Sequence, residues 1–439
     1  MKVTLIKVRM FDDKNYDAMK PLVFAVFDKI TPKDIQIEYI DERVEDLPSV
    51  INSDVIALSV DTYAARRAYE IAKKYKTSNN KIVLGGFHPS AMPDEALEYC
   101  DTVLIGDAED TWPAYLEDLK NGSQKEKYIS TNRCSLTKID FNSKAFNGKK
   151  YLPIGLVQFS RGCKFNCDFC SVASFYRCKV RQKNVDLIVE EIRGIKEKIL
   201  LIIDDNIFLD EESAIRLFQA IKPLKKKWGC QISIDVAMND RLLNAMKESG
   251  CVLVMIGFES LNPDNLKIMN KVANLNLETY EKAIQNIYKH GLMIYASFVL
   301  GYDYETAESI EETLKFAIKH NFATANFNPL MPMTDTKLYS RLNSQNKLIY
   351  DKWWIEKGYK YGDTVYYPES MTADELKNGC MNARYQFNSY KSIFKRLFSN
   401  KLHLNPLNAF VFIALNIVTR KEIYRKQGQT LGGESTEKS

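Results

Sequence analysis

Short apolar segments alternate with amphipathic ones along most of this chain, and that alternation restricts the fold more than any other feature. Strands that are separated by helices of ordinary length pair in parallel. In the second part of the chain the predicted strands are 153–160, 200–205, 231–238, 251–260, 292–301 and 324–330. Six strand–helix units predict a partial barrel of the (β/α)6 type, short of the closed eight-fold barrel.

The first 125 residues show the same alternation on a smaller scale. Strands are predicted at 54–60, 81–86 and 101–107, and helices at 64–76 and 111–122. The fold class is therefore α/β, with an N-terminal doubly wound, Rossmann-like domain followed by the partial barrel and a mainly helical C-terminal region. The predicted boundaries are 1–135 for the first domain, 136–150 for a polar linker, 151–345 for the barrel and 346–439 for the C-terminal region with a disordered tail.

Composition excludes several classes of protein. The 439 residues are 45% hydrophobic, and the formal net charge of +5 is too small to indicate nucleic-acid binding. The nine cysteines are an odd number and the N-terminus is charged, so we expect a cytoplasmic protein without a disulfide framework. The longest apolar run, 409–418, is about half as long as a membrane helix.

Three cysteines stand close together after the first predicted barrel strand. Cys163, Cys167 and Cys170 have the spacing C-x₃-C-x₂-C and follow Gly162. Thiolates bind zinc or iron–sulfur clusters, and a structural zinc site needs four ligands, for which Cys178 is a candidate. Three thiolates on one loop suit a cubane cluster whose fourth iron is open to a small chelating molecule. A zinc loop and three packed core cysteines are the competing interpretations.

This cysteine motif resembles the signature of the radical S-adenosylmethionine (SAM) superfamily. The resemblance implies a 4Fe–4S cluster on Cys163, Cys167 and Cys170, with the amino and carboxyl groups of SAM on the open iron. It also implies an electron donor such as flavodoxin or ferredoxin, and a 5′-deoxyadenosyl radical that abstracts hydrogen from the substrate. Phe169 matches a position near the adenine in this family.

Polar residues end two further predicted strands at the mouth of the barrel. Asp204, Asp205 and Asn206 stand where the family approaches the methionine amino group, and an Asp–Asn turn that caps a helix is the alternative. Ser233 and Asp235 share one face of a predicted strand, so they are candidates to bind a ribose or a substrate hydroxyl.

Gly257 and Glu259 resemble the family's glycine-x-glutamate segment near the adenine. Gly257 permits the backbone to approach a flat ring, and Glu259 is a candidate to bind the ribose or a substrate cation. A β-bulge glycine beside a surface glutamate is the alternative.

The N-terminal domain resembles the cobalamin-binding domain that is fused to one class of radical SAM enzymes. Segments 57–62, 84–90 and 103–112 carry the resemblance, at the carboxyl ends of strands. The candidate cofactor-binding residues there are Ser59, Thr62, Gly85, Gly86, His88 and Gly106. The motif D-x-H-x-x-G, whose histidine ligates cobalt in many such domains, is missing, so cobalamin would lack a histidine below the cobalt. His88 is expected to pack beside Pro89, and a domain that has lost its cofactor is the alternative.

The region after the barrel resembles that of cobalamin-linked enzymes that modify hopanoid lipids and related tetrapyrrole or lipid substrates. Trp353 and Trp354 either line an apolar substrate cavity or pack the domain's own core. The apolar and then basic stretch 407–426 either lies on a membrane surface or is a plain packing helix.

These features predict an enzyme that uses a 4Fe–4S cluster, SAM and cobalamin to methylate an unactivated carbon of a small-molecule or lipid-like substrate. No residue is assigned a catalytic role. Radical cyclisation, rearrangement or carbon–carbon bond formation is the alternative within the same chemistry. A cobalamin-binding or metal-binding sensor, or a zinc-stabilised binding protein, is the alternative outside it.

Overall fold

The structure is a computed structural model, and it describes residues 1–12, 14, 18–131, 135–207, 210–271 and 276–432. Its N-terminal part contains a six-stranded parallel sheet with the strand order β2-β1-β3-β4-β5-β6. The elements in chain order are β1 (Lys2–Lys7), α1 (Leu22–Ile30), β2 (Gln36–Asp41), β3 (Val55–Ser59), α2 (Ala65–Tyr75), β4 (Lys81–Gly85), α3 (Phe87–Ala91), α4 (Pro93–Leu97), β5 (Thr102–Ile105), α5 (Ala108–Lys120) and β6 (Lys127–Ile129).

Helices cover both faces of this sheet, because its strands are apolar on both sides. Val3 and Leu5 of β1 pack with α1 and α5 on one face. Ile6 of β1 and Leu58 of β3 pack with α2 on the other face. The predicted doubly wound fold is confirmed, and the strand order reverses between β1 and β3, where open parallel sheets bind ligands.

The second part contains six parallel strands in the order β7-β10-β11-β12-β13-β14, which confirms the partial barrel. A short antiparallel pair, β8 and β9, lies beside it. The elements are β7 (Gly155–Val157), β8 (Ser160–Arg161), α6 (Ser171–Tyr176), β9 (Arg181–Gln182), α7 (Val185–Gly194), β10 (Ile199–Ile202), α8 (Glu211–Ile221), β11 (Lys227–Ile232), α9 (Asp240–Glu248), β12 (Cys251–Glu259), α10 (Pro263–Ile268), α11 (Leu277–Lys289), β13 (Met293–Leu300), α12 (Ala307–Lys319), β14 (Thr324–Pro329) and α13 (Lys337–Ser344).

Three helices end the described chain, within the region predicted to be mainly helical. They are α14 (Ala373–Phe387), α15 (Tyr390–Ser399) and α16 (Pro406–Lys426). Residues 372–398 have the pattern of one continuous helix, but the structure breaks it before α15, because the Ser389 hydroxyl accepts a hydrogen bond from the Ser392 N–H and caps a new helix.

The C-terminal helices cover the outer edge of β14, the last strand of the open barrel. Arg384 Nε on α14 donates to the carbonyl oxygen of Phe327 at 2.8 Å. Arg396 Nη1 on α15 and Asn416 Nδ2 on α16 donate to the carbonyl oxygen of Ala323, the residue before β14, at 3.0 and 2.9 Å. An open edge strand leaves backbone groups unpaired, so Arg384 stands where a seventh strand would otherwise pair, and the other two side chains hold the entry to the strand.

The predicted strand 231–238 differs from the structure. The strand lies at Lys227–Ile232, where it pairs with β10 and β12, and Ile234–Met238 forms a 3₁₀ turn. The chain therefore leaves the sheet earlier than the apolar pattern indicated.

The segment 136–150, predicted as a linker, packs against the first sheet. Ile139, Phe141 and Phe146 are buried in the core between that sheet and its helices. Residues 433–439 of the predicted disordered tail lie outside the described residues. No helix in the described ranges has the length and apolar character needed to span a bilayer.

Candidate functional site

Two parts of the barrel fix the path of the cysteine loop. Gly162, before the first cysteine, has φ +96°, and a Cβ there would lie 2.1 Å from the carbonyl oxygen of Lys179. The Gly162 N–H donates to Asp205 Oδ2 at 2.8 Å. Within the loop, Asp168 accepts a hydrogen bond from the hydroxyl of Tyr302, which follows β13.

The three cysteines of the loop are partly buried free thiols. Burial raises the pKa of Cys163, Cys167 and Cys170, that of Cys167 to about 11, so metal binding must displace a proton from each sulfur. Within the described ranges, no three His, Cys, Asp or Glu side chains surround a position for one metal ion. The ligands of a 4Fe–4S cluster hold different irons and need no common centre, so the loop fits a cluster.

A buried ion pair that the sequence did not indicate lies beside these thiols. Lys271 Nζ lies 3.0 Å from Glu259 Oε1. Burial alone would lower the pKa of Lys271, but the Glu259 carboxylate and the Cys167 sulfur raise it above its ordinary value. Glu259 has φ +62°, and a Cβ on Gly257 would lie 2.1 Å from its carboxylate. The glycine therefore leaves space for the carboxylate to fold back toward the lysine.

Asp204 uses both carboxylate oxygens to hold the segment that follows β7, which corrects the expectation that it offers a polar group to a ligand. Its carboxylate accepts hydrogen bonds from the N–H of Phe159 at 2.8 Å, and from the N–H and hydroxyl of Ser160 at 2.7 and 2.6 Å. Burial raises the pKa of Asp204 to about 7, although these hydrogen bonds oppose the rise. Asp205 differs, because it binds the Gly162 N–H of the cysteine loop.

Asn206 and Ser233 come together beside the cysteines. Asn206 Nδ2 donates to Ser233 Oγ at 3.3 Å, and a hydrogen bond from Asn206 partly offsets the rise that burial causes in the pKa of Cys163. Asn206 Oδ1 is buried and has no hydrogen-bond partner among the described residues, so it is free to accept one from a ligand. Asp235 is exposed on the 3₁₀ turn, which corrects the expectation that it shares a strand face with Ser233.

A cavity of about 550 Å³ lies between the first sheet and the cysteine loop. Thr62, Phe87 and Gly106, which follow strands of that sheet, form one wall, and Phe175 and Tyr176 of α6 form another. A second cavity, of about 340 Å³, shares Phe87, Gly106 and the two α6 residues. The rings of Phe87 and Phe175 stack with centroids 4.4 Å apart, so both domains build the wall common to the two cavities.

Most N-terminal candidates line these cavities. Ser59, Gly85 and Gly86 line the smaller cavity, Thr62 lines the larger one, and Gly106 lines both. Gly106 has φ +88°, a conformation that favours glycine, and the absence of a side chain keeps the shared wall open. Small residues and flat aromatic rings around a large space fit a macrocycle such as cobalamin.

His88 lines neither cavity, and its inclusion among the cofactor-binding candidates is corrected. The fully buried ring places Nε2 3.0 Å from the Tyr69 hydroxyl and 3.2 Å from Glu95 Oε1. Trp354 Nε1 donates to the same Glu95 oxygen at 2.9 Å. The ring of His88 therefore packs against Tyr69, Glu95 and Trp354, whereas its packing beside Pro89 stays a prediction.

Buried charges connect the cysteine loop to the first sheet. Arg161 Nη1 donates to Asp107 Oδ1 at 2.8 Å and lies 2.9 Å from Glu109 Oε1. Arg181 on β9 contacts the same Asp107 carboxylate. Asp107 directly follows Gly106, so this ionic cluster joins the cavity wall to Arg161, two residues before the first cysteine. Neither Asp107 nor Arg181 was among the residues expected from the sequence to have a role.

A third cavity, of about 280 Å³, adjoins Phe169 of the cysteine loop. Tyr361 and Asn328 also line it, together with apolar residues. Trp353 and Trp354 are fully buried and do not line this cavity. Both pack, but in a core that they share with β1, β3 and α2 of the first domain and not in a separate core of their own region.

Comparisons with known proteins match both parts of the chain. The family model of the radical SAM superfamily matches residues 157–317, and that of the B12 binding domain matches residues 28–116. Bacteriochlorophyllide d C-12(1)-methyltransferase of Chlorobaculum tepidum is 28% identical over 417 residues, which are 91% of this chain and 89% of that protein. Hopanoid C-2 methylase of Rhodopseudomonas palustris is 24% identical over 350 residues, covering 76% of this chain and 64% of that protein.

A solved structure shows the same fold. The cobalamin-dependent S-adenosylmethionine radical enzyme OxsB, with aqua-cobalamin and S-adenosylmethionine bound, superposes with a TM-score of 0.63 at 14% identity. The match covers 97% of this chain and 72% of that chain.

The matched domains contain the cysteine loop and one wall of the cavity beside it. The cysteine loop lies within 157–317, and the cavity wall from Thr62 to Gly106 lies within 28–116. The radical SAM domain takes a 4Fe–4S cluster and SAM, and the B12-binding domain takes cobalamin, which confirms the three predicted cofactors. The chain therefore belongs to the radical SAM superfamily, as an enzyme with a B12-binding domain on the N-terminal side of its radical SAM domain.

Proposed function

We propose that this enzyme is a cobalamin-dependent methyltransferase that acts on an unactivated carbon of a small-molecule or lipid-like substrate. The cavity of about 550 Å³ between the two domains is the observation that carries the proposal. One of its walls is α6, which begins directly after Cys170. The proposed cluster site and the proposed cobalamin site therefore adjoin one space, and a radical source and a methyl donor must reach the same carbon.

Each cofactor has proposed partners in this chain. Cys163, Cys167 and Cys170 hold the cluster, and Asn206 and Glu259 offer polar groups to SAM. When bound, the cluster and SAM supply a radical that abstracts hydrogen, and cobalamin supplies the methyl group.

We propose the cavity beside Phe169 as the substrate entrance. Its aromatic and apolar lining suits a hydrophobic molecule, and Asn328 and Arg384 suit a polar or anionic group on that molecule. The names of the two relatives include a bacteriochlorophyllide and a hopanoid as substrates, which supports a hydrophobic substrate class. A flavodoxin or ferredoxin is the proposed electron donor.

Anaerobic reconstitution tests the cofactor sites. We expect close to four iron and four sulfide per chain, and the absorbance of a bound corrinoid after cobalamin is added. The triple variant Cys163→Ala, Cys167→Ala and Cys170→Ala should lose the iron. Cys178→Ala is the matched control and should keep it, because Cys178 is not a proposed ligand. Zinc without sulfide, or iron that survives the triple substitution, would contradict the cluster assignment.

Product mass tests the methyl transfer. The reconstituted enzyme is incubated with SAM, a low-potential reductant and a bacteriochlorophyllide or a hopanoid. We expect a product heavier by one CH₂ group only when cobalamin is present, whereas 5′-deoxyadenosine should form with or without cobalamin. A product without that gain in mass would indicate cyclisation or rearrangement, and methylation without cobalamin would exclude this mechanism.

A further inference from the structure

The helices α15 and α16 form an antiparallel pair that presents apolar side chains to solvent. At one end, the Arg420 guanidinium lies 4.4 Å from the ring centroid of Tyr390. At the other end, Asn408 Nδ2 donates to the carbonyl oxygen of Leu402 at 3.0 Å. The exposed large apolar side chains between these ends, here called the outer apolar face, are Phe394, Phe398, Phe410, Ile413 and Ile417.

Unlike an ordinary surface helix, α16 buries mostly polar side chains and exposes apolar ones. Its buried residues are Asn408, Phe412, Asn416 and Glu422, whereas Phe410 is 61% exposed. The buried asparagines have a structural reason, because Asn416 donates to the carbonyl oxygen of Ala323 just before β14, and Asn408 donates to that of Leu402 in the turn before the helix. That reason does not extend to the outer positions, where polar residues would be equally compatible with the fold. Phe394 and Phe398 on α15, and the outer residues 410, 413 and 417 on α16, are three or four positions apart, so each set shares one face of its helix. Exposed apolar side chains of this size on adjoining helices mark an interaction surface.

The charge around this face has one sign. Residues 390–426 contain eight Lys or Arg and one acidic residue, Glu422, which is buried. The segment thus carries a formal charge of +7, although the whole chain carries only +5, so the other residues sum to −2. The exposed cations beside the apolar side chains are Lys391, Lys395, Lys401 and Lys421. Apolar side chains bordered by lysines complement a bilayer with anionic headgroups.

We propose that the outer apolar face seats this enzyme on an anionic membrane surface. The phenylalanines enter the boundary between headgroups and acyl chains, and the lysines pair with the headgroups. A protein electron donor fits this place poorly, because the two helices contact Phe322 and Ala323 at the amino end of β14. The cysteine loop contacts Asp205 and Tyr302, beyond the carboxyl ends of β10 and β13. The inference is independent of the proposed methyl transfer.

Vesicle co-sedimentation of the reconstituted full-length protein tests the proposal. We expect partitioning onto phosphatidylcholine vesicles that contain phosphatidylglycerol to exceed that onto pure phosphatidylcholine by about tenfold or more. Raising the salt from about 0.1 M to about 0.5 M should weaken it. The double variant Phe394→Ser, Phe398→Ser should weaken it by about tenfold, because two exposed aromatic side chains are lost from the contact.

The matched control is Tyr304→Ser, Tyr367→Ser, which removes two aromatic side chains of similar exposure, 54% and 58%, away from this face. It should bind vesicles as the unmodified protein does, and both double variants should keep the iron content and the circular dichroism spectrum. No binding to either vesicle type, equal binding to both, or an equal loss in the tyrosine control would overturn the proposal. A dimer that dissociates on the phenylalanine substitutions would overturn it as well, since a second copy would then be the occupant.

Discussion

Gly162 and Gly86 stand where the backbone leaves no space for a side chain. A Cβ on Gly162 would lie 2.1 Å from the Lys179 carbonyl oxygen, and one on Gly86 would lie 2.5 Å from that of Val60. Gly162 lies where the end of β8 approaches the segment that enters β9, beside the cysteine loop. Gly86 lies in the turn from β4 into α3. Both glycines have positive φ, so a side chain there is strained as well as crowded.

Gly162→Ala is expected to reduce the iron content of the reconstituted protein several-fold, because the loop must shift to relieve the contact with Lys179. Gly148→Ala is the control, since Gly148 also has positive φ, +76°, but a Cβ there would meet no atom of the described residues within 4 Å. Iron and sulfide analysis after anaerobic reconstitution measures the difference. Equal iron in the two variants would show that the contact does not hold the loop.

Site residues could be predicted from the sequence where the residues that identify them lie close together along the chain. The cysteine spacing and the glycine before it sit within ten residues of one another. Lys271 could not be found this way, because only the fold brings it to Glu259 and the Cys167 sulfur. Asp204 was misinterpreted for the same reason, since its hydrogen-bond partners lie on another strand.

At the scale of elements, side chains complete the open barrel. Arg396 is fully buried, and its guanidinium donates to the carbonyl oxygens of Phe322, Ala323 and Phe387. Burial lowers the pKa of Arg396 to about 9. The guanidinium carbon also lies 3.7 Å from the ring centroid of Phe387, a cation–π contact that offsets part of the cost of burial.

Arg396→Met is expected to lower the free energy of unfolding by about 3 kcal/mol or more, because several buried carbonyls lose their donor. Lys395→Met, an exposed neighbour on the same helix, should change it by no more than about 0.5 kcal/mol. Urea unfolding followed by circular dichroism measures both. A loss below about 1 kcal/mol for Arg396→Met would mean that water replaces the missing donor.

The predicted strands were accurate where apolar runs coincide with pairing, as at Cys251–Glu259 and Met293–Leu300. The strand near residue 231 was placed too late, because the apolar pattern continues through the 3₁₀ turn Ile234–Met238. The break between α14 and α15 was missed, because the cap at Ser389 lies inside an otherwise helical pattern. Periodicity therefore identified the elements, and side-chain hydrogen bonds decided some of their ends.

At the scale of the whole molecule, one buried carboxylate joins the N-terminal domain to the C-terminal region. Glu95 accepts hydrogen bonds from the Tyr69 hydroxyl and Trp354 Nε1, both at 2.9 Å, and lies 3.0 Å from Lys352 Nζ. Its oxygen is also 3.2 Å from His88 Nε2. Burial alone would raise the pKa of Glu95, but these contacts lower it to about 2 from an ordinary value of 4.5.

A lowered pKa in the folded state stabilises the protein above pH 4.5, and this contribution is lost as the pH falls toward 2. Glu95→Gln should therefore lower the free energy of unfolding by about 3 kcal/mol near neutral pH, and the difference from the unmodified protein should shrink in acid. Urea unfolding at about pH 7 and about pH 3 measures it. Glu98→Gln, an exposed change three residues away, is the control. A difference that does not depend on pH would refute the assigned ionisation.

The contacts between domains were beyond sequence reasoning. Trp353 and Trp354 were recognisable as a candidate packing pair, but not as partners of α2, to which they are joined in one core. The wall shared by Phe87 and Phe175 likewise comes from residues that are distant in sequence. Composition and periodicity describe each domain separately, whereas such a wall depends on how the two surfaces meet.

The dependence of β14 on distant side chains also matters during synthesis. The strand is complete at Pro329, but the carbonyl oxygen of Ala323, at its entry, accepts a hydrogen bond from Asn416. At about 5–20 residues per second, a ribosome needs on the order of ten seconds to extend the chain between those points. For that interval the nascent barrel carries a bare edge, so premature termination or stalled translation would favour edge-to-edge aggregation of incomplete chains.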